Sequence, residues 1–231
     1  MKIDLYADGS DINDIKRLSN NPTIKGFTTN PTLMRKAGVN DYLKFIKEVT
    51  SIVPNKPLSF EVFSDELGEM EIQARKIAQH GENVYIKIPV TNTKGISTAS
   101  VIESLLIDGI KVNVTAVFTI EQVNKLLPAI KHETPVIISI FAGRIADTGI
   151  DPKPIMKWTI DNVSDNVKVL WASPREVYNF YEAESIGCHI ITMTPSLIDK
   201  ISIRDKCLEE YSLETVKMFY DDAIYAGYKL W

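Results

Sequence analysis

The sequence predicts an α/β protein built as a (β/α)8 barrel, the TIM-barrel architecture, with an additional C-terminal helix. Three observations carry this expectation: eight short apolar, β-branched runs, segments of helical spacing between them, and successive strand starts 22 to 32 residues apart. A doubly wound open sheet has about five to seven strands and its own glycine-rich phosphate turn. Neither GxGxxG nor GxxxxGK occurs in the chain.

The strand candidates, in order, are Ile3–Ala7, Gly26–Thr29, Leu58–Val62, Val84–Ile88, Val112–Val117, Val136–Ile140, Val167–Trp171 and His189–Met193. After the first, Ile12, Ile15 and Leu18 share one helical face, with Ser10 as the expected N-cap. Asn30-Pro31 reads as a helix opening after the second strand, and Thr119 with Gln122 has the capping-box pattern after the fifth. Thr194-Pro195 reads as an N-cap followed by proline at the first helical position. The segments 53–57 and 151–154, each with two prolines, mark ordinary loops. With no low-complexity run or flexible linker, residues 1–231 read as one barrel domain, of which 204–231 form a helical extension. In that extension Leu213, Val216, Phe219, Tyr220, Ala223 and Ile224 fall at helical spacing, and Tyr228 and Trp231 stand at the end. Such a helix either packs over its own barrel or covers a neighbouring subunit.

A chain of 231 residues, 45% hydrophobic and 24% charged, is long enough to bury one large core. A formal net charge of −4 argues against a surface made for nucleic acid or anionic membrane. Cys188, Cys207 and the three histidines show neither metal-ligand spacing nor a disulfide framework, so no metal is implied and a reduced, cytoplasmic setting is expected. The first eight residues carry acids where a signal peptide needs an apolar run, and no stretch of 18 apolar residues follows.

In a barrel of this kind working groups gather at the C-terminal ends of the strands. Those positions hold Asp8, Asn30, Glu61, Lys87, Asn113 with Thr115, Ser139 with Arg144, and Ser173 with Arg175, which is polar chemistry at seven ends of eight. Lys87 stands in Tyr85-Ile86-Lys87-Ile88-Pro89, with Lys111 as its nearest rival. Pointed into the barrel, its ammonium would lose hydration, and burial would favour the neutral amine that attacks a ketone to form a Schiff base. The competing reading is a lysine whose stem lies on the strand while its head reaches water. Glu61, in Ser59-Phe60-Glu61-Val62, is a second charge in an apolar strand, placed either for a structural ion pair with Lys87 or for proton transfer. Asp8 and Asn30 are open between helix cap and functional group. Ser173 and Glu176 have capping-box spacing, and a helix N-terminus is also a natural phosphate site. Arg144 and Arg175 on adjacent loops would complete a clamp for a phosphate monoester, although either alone also suits a surface ion pair.

Taken together, Gly26-Phe27-Thr28-Thr29-Asn30-Pro31-Thr32, Val84-Tyr85-Ile86-Lys87-Ile88-Pro89-Val90-Thr91, Val112-Asn113-Val114-Thr115-Ala116-Val117-Phe118 and Ser139-Ile140-Phe141-Ala142-Gly143-Arg144-Ile145 resemble the transaldolase family. The likeness runs from Leu5 to Leu197. It implies Lys87 as Schiff-base nucleophile, Asp8 as the acid/base at the cleaved hydroxyl, and Glu61 with Thr115 as holders of a catalytic water. It further implies Thr29, Asn30, Asn113, Ser139 and Phe141 around the sugar, Arg144, Ser173 and Arg175 at the phosphate, and no cofactor. The short chain resembles the small subfamily, whose members form pentamers and decamers through the C-terminal helix. That subfamily also holds fructose-6-phosphate aldolases, which tend to carry glutamine and tyrosine where Glu61 and Phe141 stand here. Ile140, Pro174, Gly9 and Trp171 depart from the family pattern, and altered bulk near the phosphate end is expected to bear on the choice of donor and acceptor. Three functions compete: transfer of a dihydroxyacetone unit between sugar phosphates, release of free dihydroxyacetone, and sugar-phosphate binding without turnover.

Overall fold

The protein is described by a computed structural model covering residues 2–231. Eight parallel strands close into a barrel in chain order: β1 (Asp4–Asp8), β2 (Ile24–Thr28), β3 (Leu58–Glu61), β4 (Val84–Pro89), β5 (Val112–Val117), β6 (Val136–Ile140), β7 (Val167–Trp171) and β8 (Ile190–Met193). Every expected strand is present, with its ends within two residues of the expected ones. The helices are α1 (Ile12–Ser19), α2 (Pro31–Lys36), α3 (Tyr42–Ile52), α4 (Leu67–Ala78), α5 (Ala99–Ile107), α6 (Ile120–Leu126), α7 (Ala142–Ala146), α8 (Lys153–Asn162), α9 (Tyr178–Ser185), α10 (Pro195–Lys200) and α11 (Leu208–Ala226).

Continuous apolar runs become strands here because both of their faces are covered, one by the barrel interior and one by the helices. In β6 all five residues are buried. Tyr6, Ile137, Leu170, Ala172 and Ile190 pack together as part of the interior. Gly26 pairs with Tyr6 across β1 and β2, and a Cβ on it would fall 2.6 Å from the Tyr6 ring, so the missing side chain is the room that the ring occupies. In β5 the register slips between Val114 and Val117, and Ala116 sits at φ +58°. That bulge re-aims the strand end beside the cavity described below.

Three local expectations need correction. The loop expected at 151–154 ends at Pro152, because α8 begins at Lys153 with Pro154 in its first turn, where a missing N–H costs nothing. Helix α1 is capped by Asp11, whose carboxylate accepts from the Asn13 and Asp14 amides, and neither Ser10 nor Asp8 does this. Ser173 and Glu176 form no capping box: α9 begins at Tyr178, Val177 occupies its N-cap position, and Ser173 takes φ +62°. The Asn179 side chain organises this turn instead, accepting from the amides of Arg175 and Glu176. The box at Thr119 and Gln122 is formed, and Asn30 caps α2 by accepting from the Leu33 amide.

The chain divides into two compact units, one ending at Ile198 that contains the barrel and one from Asp199 to Trp231. In the second, α11 ends at Gly227, whose φ of +68° is the left-handed cap that glycine supplies without strain. Leu208, Leu213, Phe219, Tyr220, Ile224 and Trp231 of this unit are exposed. Among the described residues no helix is long and apolar enough to cross a membrane.

Candidate active site

A cavity of about 560 Å³ opens at the C-terminal ends of the strands. Lys87, on β4, is 6% exposed and lies at its base. Its Nζ is 2.9 Å from Glu61 Oε2 and donates to the Thr29 carbonyl at 2.7 Å. Glu61 and Lys87 pair across β3 and β4, so the barrel register itself brings the charges together. The ion-pair reading is therefore the resting arrangement. The Tyr42 hydroxyl of α3 donates to the Glu61 carbonyl at 2.7 Å and steadies this strand end.

Asp8 lines the same cavity. Burial pushes its carboxyl above the ordinary carboxylate range, while nearby Lys87 and a hydrogen bond from Thr28 pull it down and Glu61 pushes it up. Thr28 Oγ1 donates to Asp8 Oδ1 at 2.8 Å and lies 2.6 Å from Thr192 Oγ1. Neither threonine carries a role on sequence grounds. Both line the cavity, as does Thr194, so the eighth strand end contributes polar groups as well. A threonine inside the apolar run Ile190-Ile191-Thr192-Met193 is itself a good strand former, so it gives a weaker signal than the charges at Lys87 and Glu61.

Beneath the cavity a buried amide network spans three strands. Asn113 donates to Ser59 Oγ at 3.0 Å, and Ser139 donates to Asn113 Oδ1 at 2.7 Å. Ser139 lines the cavity, whereas Asn113 lies below it and is fully buried. Thr29 departs from its expected place against the sugar: its hydroxyl donates to the Ser59 carbonyl, and its own carbonyl holds Lys87. Thr115 lines the cavity with a buried hydroxyl that has no partner among the described residues, next to the bulge at Ala116. A buried hydroxyl without a partner is costly, and a bound water or substrate oxygen would satisfy it. Asn30 lines the cavity while capping α2, so the two readings of that residue hold together.

At the outer rim stand Arg144, Arg175 and Lys36, the last of them missed in the sequence. Arg144 lies over the Phe141 ring, 5.5 Å from its centroid, and that ring packs against Phe118. Arg175 is instead held by Asp147: Nε donates to both carboxylate oxygens, at 2.9 and 3.1 Å, and Nη2 reaches the same carboxylate. The guanidinium holds the Asp147 carboxyl below the usual range. Arg175 Nη1 also donates to Ser173 Oγ at 3.1 Å, so the two side chains meet without a helix N-terminus. Gly143 is required at this corner, because a Cβ there would sit 1.6 Å from the Ser173 carbonyl oxygen. Pro174 lines the cavity. Trp171 does not: it pairs with Ile140, and its neighbour Leu170 belongs to the interior cluster, so strand alternation turns the indole toward the helices.

The Transaldolase/Fructose-6-phosphate aldolase family profile matches residues 5–227. A probable transaldolase 2 of Listeria monocytogenes is 35% identical over 212 residues, covering 89% of this chain and 93% of the relative. A probable transaldolase of Brucella anthropi is 34% identical over 218 residues, covering 92% and 96%. Among solved structures, KGPDC from Streptococcus mutans superposes with a TM-score of 0.57 at 14% identity, covering 84% of this chain and 88% of that one. Thiamine phosphate pyrophosphorylase from Pyrococcus furiosus gives a TM-score of 0.56 at 9% identity, covering 84% and 86%. These two likenesses bear on the barrel alone.

Proposed function

Because the chain belongs to the transaldolase/fructose-6-phosphate aldolase family, we propose that it transfers a dihydroxyacetone unit from a ketose phosphate to an aldose phosphate through a Schiff base on Lys87. The observation that carries this reading is the buried Lys87 amine against the Glu61 carboxylate, at the base of a cavity that also holds Asp8 and has cations at its rim. Glu61 takes a proton from Lys87, and the amine attacks the ketose carbonyl carbon. The water lost as the imine forms sits between Glu61 and Thr115, whose hydroxyl lacks another partner among the described residues. Asp8 then takes the proton of the C4 hydroxyl as the C3–C4 bond breaks, and its electron pair flows into the protonated imine to leave an enamine. The first aldose departs, the enamine carbon attacks the acceptor aldehyde, and Asp8 returns the proton to the new hydroxyl. Hydrolysis of the imine frees the product and restores Lys87.

Arg144, Arg175 and Ser173 would hold the phosphate, with Asp147 exchanging partners as it binds. Asn30 and Ser139 would face the sugar hydroxyls. The exposed apolar side chains of α11 support assembly into a homo-oligomer, a pentamer or decamer, which sedimentation of the intact protein would measure. Free-aldolase activity is the second reading, and Phe141 weighs against it because a phenyl ring offers no hydroxyl to protonate the enamine.

Borohydride reduction in the presence of fructose 6-phosphate tests the central step. An adduct on the Lys87 peptide is expected, and its absence would overturn the Schiff-base reading in favour of a binding protein. Product analysis with and without an added aldose phosphate then separates transfer from release.

A further inference from the structure

We propose that Thr192 is a positioning residue for Asp8, acting through Thr28 to fix which carboxylate oxygen exchanges protons with substrate. The inference rests on the proposed role of Asp8 as the acid/base of the cleavage step. Three strands supply the parts: Thr28 on β2, Asp8 on β1 and Thr192 on β8. Asp8 pairs with Thr28 on one side of β1, whereas Thr192 pairs with Tyr6 on the other side, one inward-facing tier lower. Barrel closure thus brings the Thr192 hydroxyl to Thr28 and the Thr28 hydroxyl to the carboxylate. Both threonines are nearly solvent-free, at 3% and 4% exposure.

The direction of the chain follows from donor capacity. An ionised carboxylate only accepts, so at 2.8 Å the Thr28 hydroxyl gives its single proton to Asp8 Oδ1. Its oxygen, 2.6 Å from Thr192 Oγ1, is then left to accept, and Thr192 becomes the donor. The ordered state is Thr192 to Thr28 to Asp8, with each proton committed. Oδ1 is occupied, and Oδ2 is the oxygen left to take the substrate proton. Without the Thr192 hydroxyl, Thr28 keeps a proton but loses the contact that holds its rotor toward Asp8. The carboxylate is then less well stabilised and binds a proton more readily. The charged groups facing Asp8 are Lys87 from β4 and Glu61 from β3, which act in opposite directions, and β2 and β8 contribute the two hydroxyls.

Asp8 works ionised in cleavage, so kcat/KM falls as pH drops through its pKa in the free enzyme. The test compares wild type, Thr192→Val and Thr192→Ser as full chains, measuring kcat/KM for fructose 6-phosphate cleavage against pH, with borohydride trapping of the Lys87 adduct in parallel. In Thr192→Val the acid limb is expected to move up by roughly half a pH unit, the scale of one partly lost hydrogen bond to a charged group, while trapping stays at the wild-type level. Thr192→Ser, which keeps the hydroxyl, is expected to restore the wild-type limb. An unmoved limb in Thr192→Val, or equal rate losses in Val and Ser with no shift, would overturn the proposal. Failure of wild type itself to trap would mark the Schiff-base reading as the part that fell, and the role of Thr192 with it.

Discussion

The two ends of the barrel handle the same residue type in opposite ways. Lys87 and Lys168 each stand within a strand between apolar neighbours, Ile86 and Ile88 in one case and Val167 and Val169 in the other. Both sit at inward-facing positions, Lys168 pairing with Ile137 of the interior cluster. Lys168 lies one residue into β7, at the N-terminal end, and its exposed ammonium reaches Asp4 at 3.2 Å in a solvated pair. Lys87 lies three residues into β4, where Glu61, Asp8 and the cavity surround it. Lysines 25, 56 and 111 at the N-terminal end likewise turn their heads onto backbone carbonyls. Lys168, rather than Lys111, is thus the true rival of Lys87. Depth along the strand separates a lysine held by water from one removed from it.

The largest test of this contrast exchanges the two positions. Lys87→Met is expected to abolish turnover and borohydride labelling, whereas Lys168→Met retains both within about twofold, since an exposed pair contributes little. A reducible adduct forming at wild-type rate in Lys87→Met would break the comparison outright.

The next effect in size concerns the rim. Arg144 has no carboxylate partner among the described residues, whereas Arg175 is already paired with Asp147. Arg144→Ala is expected to lower kcat/KM for phosphorylated donors about 10- to 100-fold, and Arg175→Ala somewhat less. Unphosphorylated ketoses should change little, and equal losses for both donor classes would show that neither arginine reads phosphate.

A smaller effect is expected at Phe141. Phe141→Tyr places a hydroxyl near the enamine and should raise dihydroxyacetone release relative to transfer by a few fold, read as a product ratio from fructose 6-phosphate with and without acceptor. An unchanged ratio in the folded variant would remove Phe141 from the account of transfer.

The smallest effect sharpens the comparison through stability. Burial raises the Asp8 carboxyl above its unfolded value, so the ionised form opposes folding at neutral pH, and this cost vanishes as pH falls below the ordinary carboxylate range. Asp8→Asn is therefore expected to raise Tm by about 2–4 °C at pH 8 and to leave it unchanged near pH 3, while activity is lost. A variant with equal or lower Tm at pH 8 would show that Lys87 and Thr28 fully offset the burial.

Much of the barrel was legible because its signals are local. β-Branched runs mark strands, and Thr119 with Gln122 or Asn30 before Pro31 marks helix starts within four residues. Lys87 and Glu61 stood out as charges in apolar strands. Thr192 did not, because threonine is itself a good strand former and its presence in β8 raises no conflict. Ser173 has the right spacing to Glu176, but its backbone takes φ +62° and its carbonyl lies against Gly143, and α9 begins only at Tyr178.

By itself, then, the sequence determined the number and order of the strands, the helices between them and the residue types at the strand ends. Closure of the barrel decided the rest: that Glu61 meets Lys87, that Trp171 turns away from the cavity, and that Thr28 meets Thr192 across 164 residues of chain. The reason is range. Backbone periodicity and capping are settled within a few residues, whereas a side chain's hydration and hydrogen-bond partners depend on which distant strands the barrel sets beside it.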